Sequence, residues 1–184
     1  MKNSIKTLLL ASLLITFGCK QGEETASEPT SESTEVPTGG QENVVDATSN
    51  PNIVQTAIGS KDHTTLVTAV KAAGLVTSLS NAGPFTVFAP TNAAFDKLPA
   101  GTVDGLLKPE KKSDLENILG YHTYVGTLKI EYMNDGQEFD MVFGGKVKIT
   151  KKDGKTFVNG SEIVTSIETS NGIIHVIGDV LLPK

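Results

Sequence analysis

The spacing of apolar residues changes once along this chain, from helical to strand-like near residue 120, and that order limits the fold more than any other feature. Asn52–Ile58 and Asp62–Ala73 have helical spacing. In the second, Leu66, Val67, Val70 and Ala73 share one face, Asp62 stands where a cap belongs, and Gly74 suits the stop. Phe85–Ala89 follows Gly83-Pro84 and reads as a buried strand that Pro90 ends. Thr91 or Asn92 caps a short helix through Leu98, and Val103–Leu107 and Glu110–Leu119 are expected as further helices, the latter burying Leu115, Ile118 and Leu119. From Tyr121 the period falls to two. Tyr121–Val125, Phe139–Phe143, Lys146–Lys151, Phe157-Val158, Ser161–Glu168 and Ile173–Ile177 are the expected strands, with turn signals at Asp153-Gly154 and Asn171-Gly172. Helices first and mainly antiparallel strands later is the order of an α+β domain, in which the helices pack on the sheet.

Upstream of this domain, assigned to residues 50–184, the composition is different. Lys2 and Lys6 followed by the largely apolar Leu8–Phe17 read as a secretory signal over residues 1–18, too short to span a bilayer, which takes about 20 residues. Gly18-Cys19 follows where cleavage should fall. This resembles the lipobox of bacterial lipoproteins and implies lipidation of Cys19, although Thr16 stands where that family favours Leu. Residues 19–49 are rich in Glu, Ser, Thr, Pro and Gly. Such a stretch buries too little to offset its ordering entropy and is expected to be a disordered acidic tether. The charge is concentrated there. Residues 20–50 carry seven acids against Lys20, whereas residues 51–184 carry fourteen acids and thirteen lysines.

Several functions are disfavoured by what the chain lacks. There is no arginine, so no planar fork grips phosphate or guanine, and a net charge of −5 repels a polyanion; nucleic acid is not an expected partner. One cysteine closes no internal disulfide. There is no G-x-S-x-G elbow, no phosphate-cradling glycine loop and no H-E-x-x-H, and His63, His122 and His175 are far apart in sequence. No enzyme activity, catalytic residue, cofactor or metal is expected.

Three linked stretches carry a family resemblance. PFTVFAPTNAAFDKLP (Pro84–Pro99), the Tyr121-His122 pair within LGYHTYVG, and NGIIHVIGDVLLP (Asn171–Pro183) together resemble the fasciclin domain, over about Asn50 to Lys184. The resemblance implies N-terminal helices on a mostly antiparallel β-sheet wedge, and a part in adhesion. In animal matrix members of the family the region of the Tyr-His pair is implicated in integrin contact, which makes Tyr121 and His122 candidate binding residues. A second adhesive element of the family, an Asp-Ile pair before the closing box, corresponds here to Ser166-Ile167, with no carboxylate to hold a metal. The residues themselves support a structural role. Tyr121 and His122 would alternate across a strand, and His175, inside an apolar run covered on both faces, must satisfy its ring nitrogens internally.

Lys146, Lys148, Lys151, Lys152 and Lys155 form the remaining cluster, with Val147 and Ile149 alternating against the first lysines. The pattern fits a solvated edge strand guarded by lysines more readily than a docking patch for acidic polysaccharide or lipid headgroups. Lys146, Lys148 and Lys151 stand as candidate contacts for the second case. The chain is thus expected to be an exported monomer at the outer membrane or cell surface, held by its lipid anchor, contacting a surface protein or polysaccharide. The alternatives are a secreted or periplasm-facing protein, and a lipoprotein holding a glycan or small hydrophobic ligand in a groove of the domain.

Overall fold

The computed structural model describes residues 50–183; Cys19 and the expected signal and tether lie outside them. The first helix, α1 (Ile53–Gly59), begins with a complete capping box. Asn52 Oδ1 accepts the Gln55 N–H and Gln55 Oε1 accepts the Asn52 N–H, each at 2.9 Å. Helix α2 (Thr64–Ala73) starts after a 3-10 turn at Lys61–His63 and stops at Gly74, which is left-handed at φ 74. Asp62 does not cap it. The Thr65 N–H instead donates to Asn92 Oδ1 at 3.0 Å, from the start of α4 (Asn92–Asp96) 27 positions away. A five-residue helix that the sequence pattern did not suggest, α3 (Val76–Ser80), precedes β1 (Phe85–Pro90). Helices α5 (Thr102–Leu106) and α6 (Lys112–Tyr121) complete the helical part.

Seven strands form one sheet in the order β2-β1-β7-β6-β5-β4-β3. They are β2 (Thr123–Val125), β3 (Glu138–Asp140), β4 (Lys146–Lys152), β5 (Lys155–Val158), β6 (Ser161–Thr169) and β7 (Gly172–Ile177), besides β1. All neighbouring pairs are antiparallel except β1 and β7, which run parallel from Phe85↔Gly172 to Pro90↔Ile177. The parallel pair brings the two longest sequence boxes side by side within the sheet. The sheet curls into a near-barrel, because its outer strands meet: the Val142 N–H donates to Thr123 O at 3.0 Å, and the Tyr124 and Phe139 rings pack edge-on at 5.5 Å.

This curvature gives two cores on opposite faces of the β1–β7 pair. Val87, Ala89, Ile174 and Val176 face α1, α2 and α6 with Ile53, Leu66, Val70, Leu115 and Leu119. Phe88 and Ile177 face the barrel interior with Tyr121, Met133, Met141, Val147, Ile149, Val158 and Ile163. Alternation along β1 and β7 therefore feeds both cores, which explains why each strand is apolar almost throughout.

Three expected strands need correction. Tyr121 ends α6 and His122 is its C-terminal cap, so the strand expected over Tyr121–Val125 begins at Thr123. The helix persists because α6 packs on α2 and buries Tyr121 in the barrel, outweighing the β preference of Tyr-His-Thr-Tyr. The strand expected over Phe139–Phe143 ends at Asp140, where the chain turns: the Gly144 N–H bonds Met141 O at 3.0 Å. Lastly β4, expected at an edge, lies between β3 and β5.

Candidate functional site

The Tyr121-His122 pair sits at the junction of α6 with β2, and both side chains are buried. Tyr121 Oη donates to Lys146 O at 2.7 Å and accepts from Asn159 Nδ2 at 2.9 Å. Asn159 in turn accepts the Lys148 N–H at 2.8 Å, so one tyrosine ties the helix end to the β4–β5 hairpin. Gly145 makes room for it: a Cβ there would stand 2.7 Å from the tyrosine ring. His122 Nδ1 lies 2.8 Å from Ile118 O and so must donate to it, which leaves Nε2 to accept the Leu181 N–H at 2.9 Å. That ring staples the closing segment of the chain to α6. Burial pushes its pKa down to about 4, against a smaller opposing effect of the Ile118 carbonyl.

His175 is built the same way. Nε2 donates to Leu128 O at 2.6 Å and Nδ1 accepts from Ser166 Oγ at 2.7 Å, with the Phe88 ring 5.5 Å away. Burial lowers its pKa also. Both rings are neutral and fully bonded, as expected for His175. Tyr121 and His122 are both buried, and they form the last residue and the cap of α6 rather than alternating across a strand. What lies exposed beside them is Phe143, 52% accessible, with its ring lying over Gly120, and Val142 at 45%. The expected strand would have turned Phe143 inward with Phe139 and Met141. The Gly144-Gly145 pair after it, both at positive φ, was the available signal that the strand stops earlier.

The lysines of β4 are divided. Val147 and Ile149 are wholly buried and Lys146 and Lys148 exposed, as their alternation requires. On the outer face Lys146 lies 3.7 Å from Glu138 and 3.9 Å from Asp140, Lys148 is paired across from Glu138, and Lys155 is bonded to Glu162 at 2.8 Å. With Lys152 opposite Lys155, four lysines meet three acids, and the face is almost neutral. Lys151 points elsewhere: its Nζ reaches Ile130 O at 3.5 Å and its N–H donates to Asp135 at 2.7 Å. Lys146, Lys148 and Lys151 are therefore not one cationic patch.

Two hollows bear on ligand binding. Between α1–α3 and the sheet, an apolar cavity lined by Ile53, Leu66, Val70, Leu79, Val87 and Ile174 holds about 30 Å³, room for one water. An open cleft of about 440 Å³ lies at one end of the sheet between Gly83-Pro84, Thr127, Lys129 and Glu168–Ile173. Its polar groups are largely spent on one another. Lys129 bonds Glu168 at 2.6 Å, and Asn171 donates to Leu79 O and Asn81 O at 2.8 and 2.9 Å while accepting the Ile53 N–H at 2.9 Å. Asn171, legible only as a turn residue, thus ties α1, α3 and the β6–β7 turn together. Among the described residues no group of three His, Cys, Asp or Glu is placed to hold a metal ion.

This architecture, helices on a seven-stranded near-barrel with a parallel β1–β7 pair, has known relatives. The family model described as Fasciclin domain matches residues 61–183. The chain belongs to the fasciclin domain family. It is 48% identical over 132 residues to Protein sll1483 of Synechocystis sp., covering 71% of this chain and 73% of that protein. It is 37% identical over 103 residues to Cell surface glycolipoprotein MPB83 of Mycobacterium bovis, covering 56% and 46%. It is 36% identical over 112 residues to human Periostin, covering 59% of this chain but 13% of that one. Among solved structures, the FAS1 domain pair of the insect cell adhesion molecule Fasciclin I superposes with a TM-score of 0.62 at 17% identity, over 72% of this chain and 51% of the other. The α+β fasciclin fold is thereby shown, and it links this domain to proteins of cell surfaces and adhesion.

Proposed function

We propose that the chain is a membrane-tethered adhesion module, displayed at the cell surface through lipidated Cys19 and contacting a surface protein through the outside of its fasciclin domain. The observation that carries this reading is the economy of the interior. Tyr121, His122 and His175 spend their polar atoms on the fold, and the space between helices and sheet holds about 30 Å³. Recognition is left to exposed surface. The relatives lend support: one is named a cell surface glycolipoprotein and another comes from a cell adhesion molecule. Fasciclin domains are generally non-catalytic, which agrees with this use.

A second reading has one observation in its favour. The open cleft of about 440 Å³ beside Lys129 and Glu168 has the size for a short glycan. Its closed ion pair and the internal bonding of Asn171 make it the weaker reading. A small hydrophobic ligand between helices and sheet has no such support.

The test uses cells expressing the full chain, scored for surface protease accessibility and for attachment to neighbouring cells. The adhesion reading expects cleavage of the domain on intact cells, loss of attachment when residues 50–184 are deleted, and release from the membrane by Cys19→Ala. Attachment unchanged by the deletion overturns it.

A further inference from the structure

On the side away from β7, β6 is paired along only a short part of its length. β6 runs from Ser161 to Thr169, and β7 pairs with it from Ile163 to Thr169. On its other side β5 pairs with it only at Ser161 and Glu162. A bulge against β7 lies between Ile163 and Thr165, just after the pairing with β5 has ended. Beyond it, Val164, Thr165, Ser166, Ile167 and Glu168 are all exposed, in a strand whose neighbours in the sheet are mostly buried. Among the described residues no main-chain group outside β7 bonds to Val164–Glu168.

Alternate residues of an antiparallel strand turn their N–H and C=O toward opposite neighbours. The free side of β6 therefore holds a row of unpaired backbone donors and acceptors about five residues long. Edges of this kind are normally shortened, bent or guarded by lysine or proline. The outermost strands of the sheet follow that rule: β2 and β3 have three residues each, and they close on one another through Val142 and Thr123. The open part of β6 is guarded only at its two ends, by the bulge at Val164 and by the ion pair of Glu168 with Lys129. It reads Val-Thr-Ser-Ile-Glu, with no lysine or proline, and its acid Glu168 is held by Lys129 at 2.6 Å. Val164 is 64% accessible and Ile167 36%. An extended polypeptide matches such a row in spacing, donor for acceptor.

We infer that the free edge of β6, Val164–Glu168, is a strand-addition site: it takes an extended segment of a partner polypeptide, free of proline and with β-branched residues at alternate positions, through backbone hydrogen bonds, with Val164 and Ile167 meeting its side chains. This deepens the adhesion reading and depends on it for the identity of the partner as a surface protein, but not for the binding itself. The edge meets the cleft at Glu168 and is distinct from the lysine face.

The test measures amide hydrogen exchange in the full chain, with two synthetic peptides as probes. One is a blocked octapeptide of alternating Thr and Val; the other is the same peptide N-methylated at alternate amides. The first should slow exchange within Val164–Glu168 by about tenfold or more at saturation, and the methylated one should not. Val164→Lys with Ile167→Lys, both at exposed positions, should abolish the effect while the thermal midpoint is kept. Slowing by neither peptide, or equally by both, overturns the site. So does protection of these amides in the free protein that disappears on dilution, the mark of a second copy, or on deletion of residues 20–49, the mark of the chain's own upstream segment. Attachment of cells separates the two proposals. If the lysine pair abolishes peptide binding but cells still attach, the edge stands as a strand site and is removed as the adhesive face.

Discussion

β4 and β6 are both amphipathic strands of the same sheet, and they solve the problem of facing water in opposite ways. β4 is paired with β3 over Lys146–Lys148 and with β5 over Ile149–Lys152, buries Val147 and Ile149, and turns lysines outward over a face that neighbouring acids almost neutralise. β6 turns one hydroxyl inward, from Ser166 to His175, and over Val164–Glu168 it is paired with β7 alone, with the Lys129–Glu168 ion pair at its end. Lysines thus mark a solvated face here and are missing from the open stretch of β6 itself. Side-chain charge and backbone pairing are separate properties, and only the second creates a site for another strand.

The contrast can be broken at its core. Ile149→Ala should cost about 2–5 kcal/mol by chemical denaturation, because the removed atoms leave a cavity at the centre of the barrel. A cost below about 1 kcal/mol would mean that the inner face of β4 is not packed as described.

Acid should act on the buried histidines and not on the charged face of β4. The His122 pKa is about 4 in the fold and near the ordinary 6.5 in the unfolded chain, so between those values the unfolded state binds the additional proton. The stability that neutral His122 supplies is complete above pH 6.5 and is lost as pH falls toward 4, about 3 kcal/mol in all. The lowered pKa values of His63 and His175 add to the same slope. Denaturant midpoints measured from pH 7 to pH 4 should fall accordingly, and a flat profile would remove the staple at Leu181.

Ser166→Ala leaves the His175 Nδ1 acceptor buried without a donor and should cost about 1–3 kcal/mol. Its neighbour Ile167 belongs to the open edge, so Ile167→Ala should cost clearly less. Equal losses at the two positions would show that the outer half of β6 is covered after all. The smallest effects are expected on the lysine face. Lys148→Gln and Lys152→Gln should each shift stability by less than about 0.5 kcal/mol and leave peptide binding at β6 unchanged. Loss of binding with the fold intact would move the docking face from the edge of β6 to β4.

Much of the candidate site was legible residue by residue. The burial of His175, the turns at Asp153-Gly154 and Asn171-Gly172, and the alternation of β4 all follow from period and turn chemistry, and all are present. Two of the errors share one origin. Tyr121-His122 looks like the start of a strand because its neighbours favour β structure, but the pair is held in the last turn of α6 by contacts with Lys146, Asn159 and Leu181. Asp62 is a good local cap, yet α2 takes its cap from Asn92. In each case a distant partner outcompetes a local preference of comparable size.

Taken alone, the sequence determined the class of the fold and its order of elements, because hydrophobic period and turn residues act over a few neighbouring positions. It also determined the family, since three boxes recur in order within one domain. Only the tertiary structure decided which strands are interior and which edge is open. Strand neighbours are chosen across the whole chain: β1 finds β7 more than eighty positions on, and β5 leaves β6 after two paired residues. No window of sequence records which backbone groups remain unpaired once those choices are made.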